Sequence, residues 1–406
     1  METTRAKTEQ FIRQEDKYGA HNYHPLDVVI HRAEGVWVWD VEGNRYLDFL
    51  AAYSAVNQGH AHPRIRQAMI EQSGLVTLTS RAFRNDRLGP LYEQVSRMTG
   101  YHRMLPMNTG AEAVETAIKA ARKWGYKVKG VAAGKAEILV FTGNFHGRTT
   151  TIVGFSDDAQ YREGFGPFTP GFTLLPYGDL AAARQAMNPS VVGVLVEPIQ
   201  GESGIVIPPA GYLEGLEQAC REHNALLICD EIQSGLGRTG KLFAFEHEGV
   251  RPDIVIIGKA LAGGFYPVSA ILADDEVMGV FHPGDHGSTF GGNPLGCAIA
   301  GAALDVLVEE KMIENSAKLG AYFLDKLRSI ESRNIEEIRG RGLWIGLQLT
   351  KQAGGARRYC EALEREGLLC KETHVDTIRF APPLSITRDE IDWALERIRK
   401  VFGELG

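Results

Sequence analysis

Three features of the chain have the residue types for one kind of chemistry. Lys259 follows the apolar run Ile254-Val-Ile-Ile257 and Gly258, and small residues surround it on the other side, Ala260-Leu-Ala-Gly-Gly264. A lysine leaving a buried strand among small residues can be desolvated and nucleophilic near neutral pH, which permits Schiff-base formation with a carbonyl. Taken alone, a lysine just past a buried strand is more often a solvated surface residue. Asp230 also ends an apolar run, Ala225 to Cys229. A buried carboxylate there can hold a heterocyclic nitrogen protonated. Met107-Asn-Thr-Gly110-Ala111 leads directly into an alanine-rich segment ending at Trp124, with glutamates in its first turns. The free N–H groups of such a helix start suit a phosphate, and equally suit a plain capped helix.

These residues need elements that bring them together. The runs Ile138 to Phe141, Val191 to Val196, Ala225 to Cys229 and Ile254 to Ile257 are interleaved with helix-like segments. That pattern predicts a mostly parallel sheet covered on both faces, and Thr150 to Phe155 reads as a further strand. Ligands of such sheets bind outside the carboxyl ends of the strands. Three of these ends carry polar residues: Glu197, Gln200 and Glu202; Asp230, Glu231 and Gln233; and Lys259. Ahead of the sheet, Val36 to Asp48 alternates and turns at Glu42-Gly43-Asn44, which predicts a β-hairpin, and Pro63 to about Gln72 reads as a helix. Beyond Gly284 to Pro294 an alanine-rich helix around Leu295 to Glu310 opens a charged, amphipathic tail. That change of texture marks a domain boundary. The tail holds Ile338 to Leu349, a helix over Ala356 to Glu366, Thr377 to Leu384, and a final helix capped at Thr387 with Glu390 three residues on. An acid, an amine and a phosphate anchor at one sheet edge are what pyridoxal phosphate requires as an electron sink.

Other readings fail on inspection. Gly235-Leu-Gly-Arg-Thr-Gly240-Lys241-Leu242 matches GxGxxG and most of a P-loop. Leu242 cannot hold magnesium as a P-loop Ser or Thr does, and the next strand begins with Asp253 rather than ending in an acid, so the segment reads as a glycine-rich turn. His21, His24, His60 and His62 share no helix face or nearby carboxylates at ligand spacing, so a metal site is not expected. The chain of 406 residues suggests two or three domains, and its net charge of −7 comes without a long basic run, which argues against nucleic acid. Cys220, Cys229, Cys297, Cys360 and Cys370 are odd in number and scattered, as expected of reduced thiols in an intracellular protein. Met1 to Gln14 has the acids Glu2 and Glu9 and no apolar core, so neither a secretory signal nor a transit peptide fits. No apolar stretch approaches the roughly 20 residues that span a bilayer. The expectation is a cytoplasmic protein with no membrane partner.

The chain resembles the class III, fold-type I pyridoxal-phosphate aminotransferases from about Tyr18 to about Glu390. The resemblance is carried by Lys17-Tyr-Gly-Ala-His-Asn-Tyr-His-Pro25, Ser54-Ala-Val-Asn-Gln-Gly-His60, Met107-Asn-Thr-Gly110 and Asn144-Phe-His-Gly-Arg-Thr149. It continues through Val196-Glu-Pro-Ile-Gln-Gly-Glu202, Asp230-Glu-Ile-Gln233, Gly258-Lys-Ala-Leu261, His286-Gly-Ser-Thr-Phe-Gly-Gly-Asn-Pro294 and Ile378-Arg-Phe-Ala-Pro-Pro-Leu384.

It implies an α/β fold: a large domain with a mostly parallel central sheet, residues 54–291, and a smaller α+β domain built from residues 292–406 with the N-terminal segment 1–53. By the same resemblance Lys259 carries the cofactor and moves a proton, Asp230 holds the pyridinium, Phe145 packs on the ring and Gln233 meets its phenolic oxygen. Gly110 and Ala111 bind the phosphate, joined by Thr289 from the partner subunit, so the enzyme is at least a homodimer. Substrate choice rests on Tyr23, Tyr53, Arg148, Glu202 and Arg379. The implied reaction is ping-pong transfer of the δ-amino group of L-ornithine to 2-oxoglutarate, giving glutamate 5-semialdehyde and glutamate. The alternative is another ω-amine, N-acetylornithine or 4-aminobutyrate. Arg148 would grip the α-carboxylate of ornithine and Tyr23 its α-amine, while Glu202 masks Arg379 until the second substrate arrives. The alternative reading of Glu202 and Arg379 is a fixed salt bridge.

Overall fold

Ile254–Ile257, the strand that delivers Lys259, is buried along its whole length and lies inside a seven-stranded sheet. The computed structural model describes residues 5–406. Across that sheet the strands run Arg103–Met107, Ser269–Ala273, Ile254–Ile257, Leu226–Asp230, Val191–Val196, Glu137–Phe141 and Phe172–Leu175. From Ile254–Ile257 to Phe172–Leu175 each neighbour is parallel. Ser269–Ala273 is antiparallel to both of its neighbours. The sheet is therefore mostly parallel and the fold α/β, with strands that are continuous apolar runs because both faces are covered.

The apolar run Thr150 to Phe155, whose β-branched composition predicts a strand, instead forms a short helix at Thr150–Gly154. Thr149 explains the difference: its hydroxyl accepts the Ile152 N–H at 3.1 Å and starts a helical turn before any sheet edge is reached. The other long segments form as read. The helix Gly110–Trp124 begins with a capping box between Thr109 and Glu112, and the last helix, Arg388–Leu405, begins with one between Thr387 and Glu390. The helices Pro63–Ser73, Pro294–Glu309 and Arg357–Arg365 also lie where the periodicity places them.

Two four-stranded sheets flank the central one. Ile335–Arg341, Trp344–Leu349, Thr377–Phe380 and Lys371–Thr373 form an antiparallel C-terminal sheet in that order. In the other sheet the hairpin Trp37–Asp40 and Arg45–Asp48 takes Leu368–Leu369 as a parallel fourth strand, so the N-terminal segment is bound to the C-terminal part of the chain.

Directly after that hairpin come four consecutive left-handed residues: Ala51, Ala52, Tyr53 and Ser54 have φ of 47°, 47°, 58° and 71°. Each such non-glycine residue costs about 1–2 kcal/mol, so the turn forms only where the surroundings over-determine it. Asp48 supplies much of that constraint. Its Oδ1 accepts the N–H groups of Leu50 at 2.8 Å and Ala51 at 2.9 Å, while His60 Nε2 holds its Oδ2 at 2.7 Å.

Candidate active site

The carboxyl ends of the central strands open into a pocket lined by Gly110, Ala111, Phe145, Glu197, Asp230, Ile232, Gln233 and Lys259. Lys259 starts a single 3-10 turn, Lys259–Ala262, and sits in the left-handed region at φ 43°. Strain of that kind, of the order of 1–3 kcal/mol, persists where packing enforces it. Here the carboxamide of Gln58 donates to the carbonyl of the next residue, Ala260, at 3.0 Å. Burial pushes the Lys259 amine below its ordinary range, against the opposing pull of the Glu202 and Asp230 carboxylates. A lysine so placed reaches its neutral, nucleophilic form at lower pH than a free one.

Asp230 is 5% exposed, and both of its oxygens are engaged. Oδ1 accepts the Ile232 N–H at 3.0 Å, and Oδ2 lies 2.7 Å from Nδ1 of the buried His146. Burial opposes charge on that imidazole, but the bond to Asp230 and the nearby Asp230 and Glu197 carboxylates together raise it above the ordinary histidine value. Glu197, at the end of the adjacent strand, is pushed up to about 7 by burial, with His146 acting in the opposite sense. At the helix start Gly110 passes close to Ile232: an added Cβ would lie 3.0 Å from the Ile232 Cδ1. The N–H groups of this turn thus open onto the pocket beside an apolar wall. Acid, amine, amide cradle and the Phe145 and Ile232 side chains together are a donor set that fits pyridoxal phosphate.

A second, more open cavity adjoins the first, lined by Tyr23, Tyr53, Phe145, Arg148, Tyr161, Glu202, Lys259, Lys371 and Thr373. The left-handed turn aims Tyr53 here, under Arg379, whose guanidinium lies 5.1 Å from the ring centre. Arg379 comes from the C-terminal sheet and is 1% exposed. Its Nη1 and Nη2 donate to Glu202 Oε1 at 2.9 Å and Oε2 at 3.0 Å, a two-pronged ion pair. Burial alone would raise the Glu202 carboxyl, but Arg379 overrides it and holds the group at about 2. Gln233 completes the cluster, donating to Glu202 at 3.2 Å and accepting from Arg379 at 3.1 Å. The Thr373 hydroxyl donates to the Glu202 carbonyl. Arg148 is different. Its guanidinium stands 4.2 Å from the Tyr161 ring centre and 5.7 Å from that of Phe145, and among the described residues no carboxylate forms an ion pair with it.

One pocket system therefore gathers Tyr23, Tyr53, Gly110, Ala111, Phe145, Arg148, Glu202, Asp230, Gln233 and Lys259, with Arg379 directly behind Glu202. Thr289 is exposed and lines neither cavity of its own chain. Tyr23 is 76% exposed at the mouth. Sequence reasoning gave no role to His146 or Glu197. Both lie in motifs that carry the family resemblance, which is the signal that flags them. The glycine-rich turn at Gly235 to Gly240 lies elsewhere: Arg238 is buried there, donating to the carbonyls of Leu343 and Pro382 and to Asn57. His60 and His62 meet the carboxylates of Asp48 and Glu310 singly.

The family model for class-III aminotransferases matches residues 18–402. The ornithine aminotransferase of Brevibacillus brevis is 59% identical over 397 residues, 98% of this chain and 99% of that protein. Among solved structures, the ornithine aminotransferase of Toxoplasma gondii, with PLP in partial occupancy at its active site, superposes with a TM-score of 0.97 at 45% identity, covering 98% of this chain and 94% of that one. The acetylornithine aminotransferase of Elizabethkingia anophelis gives 0.89 at 47% identity, covering 98% and 99%.

Proposed function

The chain belongs to the class-III aminotransferases, and from that premise we propose that it is a pyridoxal-phosphate enzyme moving the δ-amino group of L-ornithine to 2-oxoglutarate. Glutamate 5-semialdehyde and glutamate are the products of this ping-pong transfer. The bound cofactor supplies an electron sink for carbanion character at the substrate carbon. The chain's own groups do the rest. Lys259 Nζ holds the cofactor between turnovers and carries the proton from one carbon to the other; its depressed basicity suits both tasks. Asp230, oriented by its bond to His146, would meet the ring nitrogen and favour its protonated form. Gly110 and Ala111 would take the phosphate with Thr289 of a second subunit, Phe145 would cover the ring, and Gln233 would meet its phenolic oxygen.

The observation that carries the substrate assignment is the contrast between two arginines: Arg148 lines the open cavity, and Arg379 lies behind Glu202, which lines it too. Arg148 is free to grip the single α-carboxylate of ornithine, with Tyr23 beside its α-amine and Tyr53 shaping the far side. Arg379 is closed by Glu202, so the α-carboxylate is not drawn to the position that would present the wrong amine. A dicarboxylate needs both cations and displaces Glu202. Because Thr289 lines neither cavity of its own chain, the proposal includes a homodimer or larger homo-oligomer, placed between arginine metabolism and proline biosynthesis. Five unpaired, buried cysteines suit a cytoplasmic setting.

Half-reaction spectra test the assignment. Ornithine should bleach the visible absorbance of the holoenzyme, with N-acetylornithine and 4-aminobutyrate far slower, and Lys259→Ala should abolish turnover. Preferential bleaching by either other amine would replace the substrate, and turnover by Lys259→Ala would overturn the roles given to the pocket floor.

A further inference from the structure

Glu197 directly follows the strand Val191–Val196 and is 5% exposed, yet among the described residues it forms no ion pair; its side chain's partners are two backbone N–H groups. Oε1 accepts from Phe145 at 2.8 Å, and Oε2 accepts from Gly201 at a longer 3.4 Å. These residues belong to the two segments on which recognition depends. Phe145 lies three residues before Arg148, and Gly201 immediately precedes Glu202.

The segments are stitched together around this carboxylate. Gln200 Nε2 donates to the Thr142 carbonyl at 2.8 Å, and Ser203 Oγ to the Gly143 carbonyl at 2.5 Å. The approach is so close that a Cβ on Gly143, at φ 71°, would fall 2.5 Å from Ser203 Oγ. On the other side a Cβ on Gly201 would meet Gln233 Oε1 at 2.6 Å and Trp344 Cζ2 at 2.8 Å. Both segments are thus confined between fixed walls, and Glu197 is the only side chain among these that reaches each of them with a separate oxygen.

We infer that Glu197 is a positioning residue that fixes the spacing between the Phe145–Arg148 segment and the Gly201–Glu202 turn, and so couples ring stacking to the masking of Arg379. The inference rests on the function proposed above. A neutral amide of the same size has only one acceptor, so Glu197→Gln must leave one of the two N–H groups facing an NH2 group.

Glu197→Gln tests this, with Glu231→Gln as the matched control. Glu231 is a buried carboxylate at the next strand end, holding Ser234 and Phe245 rather than either recognition segment. Two readouts are compared on purified holoenzyme: the visible circular dichroism of the bound cofactor, which reports its seating under Phe145, and the ratio of ornithine to L-alanine half-reaction rates, which reports the mask. Glu197→Gln should lose about half the ellipticity or about tenfold in the ratio, since small misplacements of reacting groups have effects of this size. Glu231→Gln should change neither, even if both variants melt earlier. Glu197→Gln that keeps both the wild-type ellipticity and the wild-type ratio within error, or a matching change in Glu231→Gln, overturns the inference. If the wild type itself does not prefer ornithine, the substrate assignment falls, while the ellipticity still decides the positioning role.

Discussion

On the reading proposed above, Glu202 carries more of the specificity than any other single residue, because its partner is an arginine that would otherwise bind any α-carboxylate. Removing it in Glu202→Ala should raise the rate with simple α-amino acids and lower the KM for 2-oxoglutarate, each by about tenfold. That is the scale of one charge-assisted pair. Steady-state kinetics with alanine, glutamate and ornithine check this, and an unchanged order of preference would mean the pair is only structural. Protonation should not open the mask. A carboxyl held at about 2 is ionised throughout roughly pH 6 to 9, and its stabilising contribution, present above the ordinary carboxylate range, is lost only as pH falls through about 2. Lys259 and Asp230 are legible in the sequence because each closes or closely follows an apolar run, whereas the role of Glu202 is carried only by the motif it shares with the family. His146 and Glu197 are not legible, since their roles depend on register. Parallel pairing sets Val196 opposite Cys229, which carries the next residues, Glu197 and Asp230, to the same edge, and the loop after Phe141 then brings in His146. No local pattern encodes that meeting.

At the scale of elements, the left-handed turn Ala51–Ser54 is the least legible part of the site. Ala-Ala-Tyr-Ser contains no glycine, the residue that ordinarily marks such backbone, and the forces that hold it come from Asp48 and His60 on either side. Ala52 is exposed and loses no packing if truncated. Ala52→Gly should therefore stabilise the protein by about 0.5–1 kcal/mol by relieving strain. The same change lets Tyr53 leave its place beneath Arg379, so discrimination between ornithine and its analogues should weaken. Thermal unfolding and competition kinetics on one preparation measure both, and a destabilised or equally selective variant would contradict this account of the turn. Composition misleads for the same reason at Thr150–Gly154, where a threonine cap outweighs β-branched residues, and it passes over Ser269–Ala273, whose alanines and serine have little strand preference of their own. The long helices with their own capping boxes were legible because their signals are local.

For the whole molecule, the site of one chain is short of one expected contact, since Thr289 is exposed and lines neither cavity of its own chain. If Thr289 serves a partner, mixing Lys259→Ala chains with chains bearing a disruptive Thr289 substitution should restore activity. Random re-pairing gives about a quarter of the wild-type sites, because half the dimers are mixed and each has one intact site. No recovery after verified subunit exchange would place Thr289 outside the partner's site. The ion pair between Glu202 and Arg379 also has a role at this scale, because it spans from the end of the central sheet to the C-terminal sheet. On the proposed reading the bond must refuse a monocarboxylate and yield to a dicarboxylate once in every cycle, so its strength is bounded from above as well as below. It cannot be strengthened to hold the two sheets together. That permanent cohesion falls to bonds for which no substrate competes, such as Arg339 to the Gly204 carbonyl at 3.0 Å and Thr373 to the carbonyl of Glu202 itself. The backbone of the mask is anchored so that its side chain alone can let go.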